Sequence, residues 1–135
     1  MRNQKKPSFD DRQTILVVDD NHDLRETLCL FMESFYKVDA VATGAAAIEA
    51  INANHKYAVV VTDFALGGAL DGLDVGLAVR KKSLTLPIVL ITGSESTHPR
   101  ILELLRLPQT KYLGKPFEFI ELQRAVSAAM NTASI

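Results

Sequence analysis

Residues 59–63 read VVVTD, four residues with a preference for β-strands followed by one carboxylate. The next residues, FALGGALDG at 64–72, include three glycines and are typical of a loop. A buried strand that ends in an aspartate places the charge of that carboxylate at the edge of a sheet. In open α/β sheets, ligands bind at the edge formed by the carboxyl ends of the strands. Asp63 is therefore the first candidate for a functional side chain.

The rest of the chain alternates between apolar runs of strand length and helical patterns. The predicted strands are 14–18, 36–42, 57–62, 86–91 and 111–113, and helices are predicted from about residue 21 onwards and at 45–54, 71–82, 99–107 and 117–130. Continuous apolar runs indicate strands that are buried on both faces. This alternation predicts an α/β fold, with a parallel sheet and helices on both faces.

Apolar spacing also predicts which helical residues face the core. The predicted inward residues are Leu24, Leu28, Phe31 and Phe35 in the first helix, Leu73, Leu77 and Ala78 in the third, and Ile120, Leu122, Val126 and Ala129 in the last. The cations RKK at 80–82 suit the carboxyl end of the third helix, where they interact favourably with the helix dipole.

Composition narrows the functional class. A chain of 135 residues fits one domain, predicted at 13–135 after a flexible polar tail at 1–12. A net charge of −1 argues against nucleic-acid binding, and the single cysteine excludes an internal disulfide. No apolar run reaches the roughly 18 residues of a membrane span, and no signal peptide is evident. We therefore expect a cytoplasmic protein that binds neither membrane nor nucleic acid.

Charged and polar side chains follow four of the predicted strands. Asp19 and Asp20 follow the first strand, Asp63 ends the third, Thr92 ends the fourth and Lys115 follows the fifth. Parallel strands bring these side chains to one edge, where three carboxylates repel one another unless a cation binds. Mg²⁺ binds through few carboxylates and accepts phosphate oxygens as further ligands. A carboxylate is also a covalent acceptor of phosphoryl groups, which predicts phosphoryl chemistry at this edge.

Five short motifs, in this order, give the chain a clear resemblance to a known family. They are VVDDN at 17–21, VTD at 61–63, DG at 71–72, LITG at 90–93 and YLGKPF at 112–117. With these motifs, residues 14–131 resemble a response-regulator receiver domain of two-component signalling, of the single-domain type. The resemblance implies a doubly wound, flavodoxin-like sheet of five parallel strands in the order 2-1-3-4-5.

The resemblance also implies a role for each residue of the site. Asp63 would accept a phosphoryl group from a sensor histidine kinase or a histidine phosphotransfer protein. Asp20, Asp63 and the backbone carbonyl of Ala65 would bind Mg²⁺, with Mn²⁺ as a substitute, and Asp19 would act through a metal-bound water. Lys115 would pair with Asp63 and then with the phosphoryl group. The chain would thus catalyse only phosphorylation and hydrolysis of its own Asp63.

A second set of implied roles concerns signalling. Thr92 would move towards a phosphoryl oxygen, and the ring of Tyr112 would turn inward as it moves. The fourth helix, the fifth strand and the fifth helix would form the signalling face, through which a homodimer or an unidentified target could bind. About five residues follow the last predicted helix, so we expect a free-standing regulator or phosphorelay intermediate, or a receiver cut from a larger protein.

Two segments depart from the family pattern. Leu66 and Gly67 replace a frequent Met-Pro pair after the acceptor, in a loop that is one residue longer than in the simplest members. We expect this to change the mobility of the loop or the phosphoryl lifetime, without loss of Mg²⁺ binding. LPQT at 107–110 replaces a frequent Gly-Ala, which puts the dimerisation mode in doubt.

Three alternatives to a phosphoacceptor differ in the residues that they require. An aspartyl-phosphate phosphatase needs a second acid at the position of Ala65. A flavin binder would not place acids after the first strand, and the chain has no tryptophan to stack on the ring. A phospho-independent receiver-fold interaction platform stays open. The histidines His22, His55 and His98 show no metal-ligand spacing and are predicted to be surface residues.

Overall fold

The computed structural model describes residues 11–53, 56–93 and 97–133. Strands and helices alternate along this part of the chain: β1 (Thr14–Val18), α1 (His22–Met32), β2 (Lys37–Val41), α2 (Gly44–Ala53), β3 (Tyr57–Asp63), α3 (Gly72–Lys82), β4 (Ile88–Thr92), α4 (Pro99–Leu105), β5 (Thr110–Gly114) and α5 (Phe119–Ala133). None of these helices combines the length and apolar character that a bilayer span requires. Most of the predicted tail, residues 1–10, lies outside the described residues.

The five strands form one parallel sheet in the order β2-β1-β3-β4-β5. This confirms the predicted fold class and strand order. The central strands are almost wholly buried, because helices cover both faces, whereas β2 and β5 lie at the edges and are partly exposed. The carboxyl ends of β1, β3, β4 and β5 therefore share one edge of the sheet.

Alternating side chains divide the interior between the two faces of the sheet. On one face, strand residues such as Val17 and Val61 pack with α1 and α5. On the other face, Leu16 and Val60 pack with α2 and α3. A third cluster lies under α4 and consists of Phe64, Leu73, Leu90, Ile101 and Leu104. Phe64 directly follows Asp63, so the core under α4 begins beside the candidate acceptor.

Two predictions of inward residues are wrong. Leu77 is 43% exposed and Ile120 is 39% exposed. Helix α3 packs against the sheet and against both α2 and α4, and its buried face runs through Val75, Gly76 and Val79 rather than through Leu77. Helix α5 begins at Phe119, and Ile120 lies on the exposed side of its first turn, whereas Leu122 in the same turn is buried.

In the first and last helices, the apolar spacing otherwise predicts the residues that face the core. Leu122, Val126 and Ala129 are buried in α5, as predicted. Leu28 is buried in α1, but Phe35 follows the end of that helix and packs at the margin of the same core.

Arg80 lies in the last turn of α3, where the sequence analysis placed a cation, and it is also buried. Only 9% of it is exposed, and its guanidinium donates hydrogen bonds to the carbonyls of Pro108 (2.8 Å), Ser83 (2.9 Å) and Gln109 (3.3 Å). Burial lowers its pKa. Gln109 has a positive φ of 57°. Arg80 therefore ties the unusual segment before β5 to the end of α3.

Candidate functional site

Three carboxylates meet at the carboxyl edge of the sheet. Asp19 and Asp20 follow β1, and Asp63 is the last residue of β3. One oxygen from each carboxylate lies within 4.8 Å of the other two. Asp19 is 1% exposed and Asp63 is 6% exposed, whereas Asp20 lies at the surface. The structure thus brings together the three acids that the sequence placed at this edge.

Asp19 is held rigidly by its backbone and by one of its oxygens. Its Oδ1 accepts a hydrogen bond from the amide of Asn21 at 2.9 Å. Its carbonyl accepts one from Nη1 of Arg25 at 2.8 Å, and its amide donates to Val41. Its Oδ2 is buried and has no hydrogen-bond partner among the described residues. A buried carboxylate oxygen without a donor is costly unless a cation or water occupies the space beside it.

Asp63 forms an ion pair with Lys115. The Nζ of Lys115 lies 2.6 Å from Oδ2 of Asp63. Burial raises the pKa of Asp63, and repulsion from Asp19 adds to this, while Lys115 and the backbone amide of Ala65 act in the opposite direction. The pKa remains above its ordinary value, so the ion pair compensates only part of the cost of burying this charge.

Lys115 is held in place by the neighbouring strand. Its amide donates to the carbonyl of Thr92 at 2.8 Å, and the Lys115–Pro116 peptide bond is cis. Burial lowers the pKa of its ammonium group, but the hydrogen bond to Asp63 and the three nearby carboxylates outweigh this and raise it. Lys115 therefore stays protonated at neutral pH.

The two residues implied as a switch occupy different environments. Thr92, the last residue of β4, is 1% exposed, and it pairs in register with Gly114 of β5. Tyr112 lies on β5 and is 45% exposed, which is an outward position for its ring. The structure places Thr92 at the edge with the acids and leaves Tyr112 at the surface.

The loop after Asp63 has one anchored and several exposed residues. Ala65 is exposed, whereas Leu66 is 3% exposed and packs in the core cluster between the sheet, α2 and α3. Gly67 follows with a positive φ of 71°. Leu66 thus anchors the loop where the sequence suggested loosening. The predicted change in loop mobility or phosphoryl lifetime stays a prediction.

The donor set of this edge fits a hard divalent cation. Carboxylate oxygens are the ligands that Mg²⁺ and Mn²⁺ prefer. A cation in addition to Lys115 would stabilise the buried Oδ2 of Asp19, which has no partner among the described residues. It would also reduce the repulsion between the three close carboxylates. The residues present therefore fit the ion that the sequence predicted.

The described histidines lie at the surface, as expected. His22 is exposed next to Asp23. His98 is the N-cap of α4, and its ring centroid lies 5.2 Å from that of Phe64. His55 lies outside the described residues.

Sequence reasoning missed a connection between α4 and α3. Arg100 binds both oxygens of Asp71 (2.7 and 3.1 Å) and one oxygen of Asp74 (3.2 Å). Asp71 was predicted only as a helix start, and it is indeed the N-cap of α3 in a capping box with Asp74. Arg100 is 29 residues from Asp71, and no local pattern links the two.

Comparison with known proteins identifies the family. Residues 15–127 match the family model described as response regulator receiver domain. The sequence is 31% identical over 121 residues to the transcriptional regulatory protein TctD of Salmonella typhimurium and 34% identical over 121 residues to the response regulator MprA of a Mycobacterium species. Both alignments cover 89% of this chain, and they cover 53% and 51% of the two relatives. The chain thus spans about half the length of the curated relatives it matches.

A solved structure supports the same assignment. The response regulator receiver protein from Sinorhizobium medicae superposes with a TM-score of 0.80 at 31% identity, covering 91% of this chain and 98% of that one. The fold and the acidic edge define a signalling domain of two-component systems. The chain belongs to the response regulator receiver domain family, which confirms the resemblance seen in the sequence.

Proposed function

We propose that this chain is a phosphoacceptor switch in which Asp63 receives a phosphoryl group from a histidine of a sensor kinase or of a histidine phosphotransfer protein. The observation that supports this most directly is the buried Asp63 carboxylate, 2.6 Å from Lys115 and beside two further acids. An oxygen of Asp63 attacks phosphorus, the bond from phosphorus to the imidazole nitrogen breaks, and its electron pair stays on the imidazole. The product is an acyl phosphate on Asp63.

Charge neutralisation is the main task of the surrounding residues. The protonated Lys115 counters the charge of the phosphoryl oxygens, as it counters that of Asp63 before transfer. Asp20, Asp63 and the carbonyl of Ala65 would hold Mg²⁺ or Mn²⁺, with Asp19 acting through a water. The ion would supply the positive charge that brings carboxylate and phosphoryl oxygens together.

The proposed output is a rearrangement at β4 and β5. Thr92 lies at the same edge as Asp63 and offers a hydroxyl to a phosphoryl oxygen. Tyr112 is 45% exposed, and its ring would turn inward when Thr92 moves. Such a turn changes the surface formed by α4, β5 and α5, through which a homodimer or a downstream protein would bind.

An apolar surface beside Lys115 suits the phosphodonor partner. Leu24, Pro116, Phe117 and Phe119 line an open groove together with Lys115. A partner that carries phosphohistidine on a helix could pack against these residues and bring its ring to Asp63. The proposal therefore places kinase docking on the side of the site formed by α1 and the β5–α5 loop.

The proposed chemistry is confined to one residue of this chain. Within its family, this chain would do chemistry on its own Asp63 alone, since Ala65 stands where an aspartyl-phosphate phosphatase has its second acid. We take residues 13–135 as the receiver domain, acting in the cytoplasm.

Phosphorylation of Asp63 is testable with a small phosphodonor. Wild type incubated with Mg²⁺ and acetyl phosphate should gain one phosphoryl group by intact mass, stable in acid and labile in base. Asp63→Asn should gain none, and chelation of Mg²⁺ should suppress the reaction in wild type. Equal labelling of Asp63→Asn would refute the assignment. No labelling of a wild-type protein that binds Mg²⁺ would favour the phospho-independent interaction platform.

A further inference from the structure

Gly67 has a backbone conformation and surroundings that set it apart from the other described glycines. It is the one described glycine with a positive φ, 71°. A Cβ built on it would lie 2.8 Å from Oδ2 of Asp20 and 3.8 Å from its Cγ, with no other atom within 4 Å outside its chain neighbours. The space that a side chain would need at position 67 is therefore occupied by the carboxylate of Asp20 alone.

The placement of the Asp20 carboxylate beside Gly67 matters because it brings Asp20 close to Asp19 and Asp63. With its carboxylate next to Gly67, one oxygen of Asp20 lies within 4.8 Å of oxygens of Asp19 and Asp63. Asp20 itself is exposed, so its side chain has room to turn away into solvent. A side chain at position 67 would push it in that direction and open the cluster.

The loop that contains Gly67 is anchored on both sides. Leu66 is buried in the core between the sheet and α2 and α3. At the far end, the amide of Gly72 donates to the carbonyl of Phe64 at 2.8 Å, and a Cβ on Gly72 would lie 2.9 Å from backbone atoms of Asp63 and Phe64. The backbone is thus held on both sides of Gly67, whereas the Asp20 side chain is exposed, so Asp20 is the group that we expect to move.

We propose that Gly67 is a positioning residue for the cation site: the absence of a side chain there allows the carboxylate of Asp20 to converge with Asp19 and Asp63. This inference rests on the proposed function, since it assumes that the three acids bind Mg²⁺. Independently of this role, the positive φ at Gly67 excludes the proline that is frequent at this position, because proline requires a negative φ.

Two effects of a substitution at Gly67 can be separated by thermodynamics. Strain from the positive φ acts on the protein with and without metal, so it lowers the stability of both forms and cancels in the binding equilibrium. Displacement of Asp20 acts only when Asp20 must bind the cation. A purely structural role therefore changes the melting temperature without changing Mg²⁺ affinity, whereas a positioning role changes the affinity.

The matched pair Gly67→Ala and Gly68→Ala tests the proposal. Gly68 lies in the same loop, has no positive φ and has nothing within 4 Å of a built Cβ. Mg²⁺ affinity of the full chain would be measured by calorimetry and by NMR titration, and the metal-free melting temperature in a chelator. We expect Gly67→Ala to weaken Mg²⁺ binding about tenfold or more, equivalent to about 1.4 kcal/mol, with Gly68→Ala within about twofold of wild type.

Each outcome decides a different point. Wild-type affinity in Gly67→Ala, even with a lowered melting temperature, overturns the positioning role and leaves the proposed function intact. An equal loss in Gly68→Ala overturns it as well, because loop stiffness rather than contact with Asp20 would then be responsible. Absence of Mg²⁺ binding to the wild-type chain overturns the cation site, and the inference with it.

Discussion

Asp19→Asn is expected to stabilise the metal-free protein and to remove much of its response to Mg²⁺. The wild-type Oδ1 accepts from the amide of Asn21, and an asparagine carbonyl can keep that bond. The wild-type Oδ2 is buried and has no partner among the described residues. An asparagine NH₂ group in its place is a donor in a cluster that otherwise holds carboxylate oxygens of Asp20 and Asp63. The substitution thus replaces repulsion with attraction where no metal is bound.

The magnitude follows from the geometry. Two unit charges 4.8 Å apart, the upper limit of separation in this cluster, repel by about 0.9 kcal/mol in water and about 3.5 kcal/mol at an effective dielectric constant of 20. Asp19 has two such neighbours, and the cation of Lys115 offsets part of the total. A buried polar atom without a partner costs a further ~1–3 kcal/mol. We expect a net gain of about 1–3 kcal/mol, or roughly 4 °C in melting temperature for each kcal/mol in a chain of this size.

Thermal and urea unfolding, each in chelator and in Mg²⁺, provide the measurement. At Mg²⁺ 100-fold above its Kd, wild type should gain about 2.7 kcal/mol of unfolding free energy, and Asp19→Asn much less. Asp20→Asn is the matched control: its carboxylate is exposed, so the metal-free gain should be small although the Mg²⁺ response also falls. A metal-free Asp19→Asn protein that is less stable than wild type would refute this account of the acidic edge.

Two further predictions concern α4. Arg100→Ala should lower the melting temperature at pH 7, because it removes the partner of the ionised Asp71. Burial alone would raise the pKa of Asp71, but the hydrogen bonds from Arg100 and Asp74 outweigh burial and hold that pKa below its ordinary value. Because the pKa of Asp71 is lowered in the folded protein, its ionisation stabilises the fold above the unfolded pKa of about 3.9, and this stabilisation is lost as the pH falls below that value. The melting temperatures of wild type and Arg100→Ala should therefore converge in acid. A difference that stays constant with pH would contradict the ion pair. Gly76→Ala should lower the free energy of unfolding by about 1–2 kcal/mol in urea, because its Cβ would clash with Cδ1 of Leu104. Such a clash costs ~1–3 kcal/mol, and the gain in helix propensity offsets up to about 1 kcal/mol of it. In a Leu104→Ala background the same change should be neutral or stabilising, and an unchanged cost there would show that the clash is not its cause.

The sequence alone determined the order of the elements and the edge at which the site lies. Apolar runs such as residues 59–62, interrupted by helical patterns, are properties of neighbouring residues. A parallel sheet brings the ends of its strands to one edge, so Asp19, Asp63 and Lys115 could be placed together before any coordinates were known.

Only the tertiary structure decided which of these groups are satisfied and which side chains share a space. Three features depend on packing between segments: the lack of a partner for Asp19 Oδ2 among the described residues, the approach of the Asp20 carboxylate to the Cβ position of Gly67, and the ion pair from Arg100 to Asp71. The same holds for the burial of Arg80, whose hydrogen bonds to Pro108 and Gln109 no local pattern indicated. Strand and helix preferences act over a few neighbouring residues. These contacts instead require that separate elements be positioned to within about a few tenths of an ångström, which only the packed core achieves.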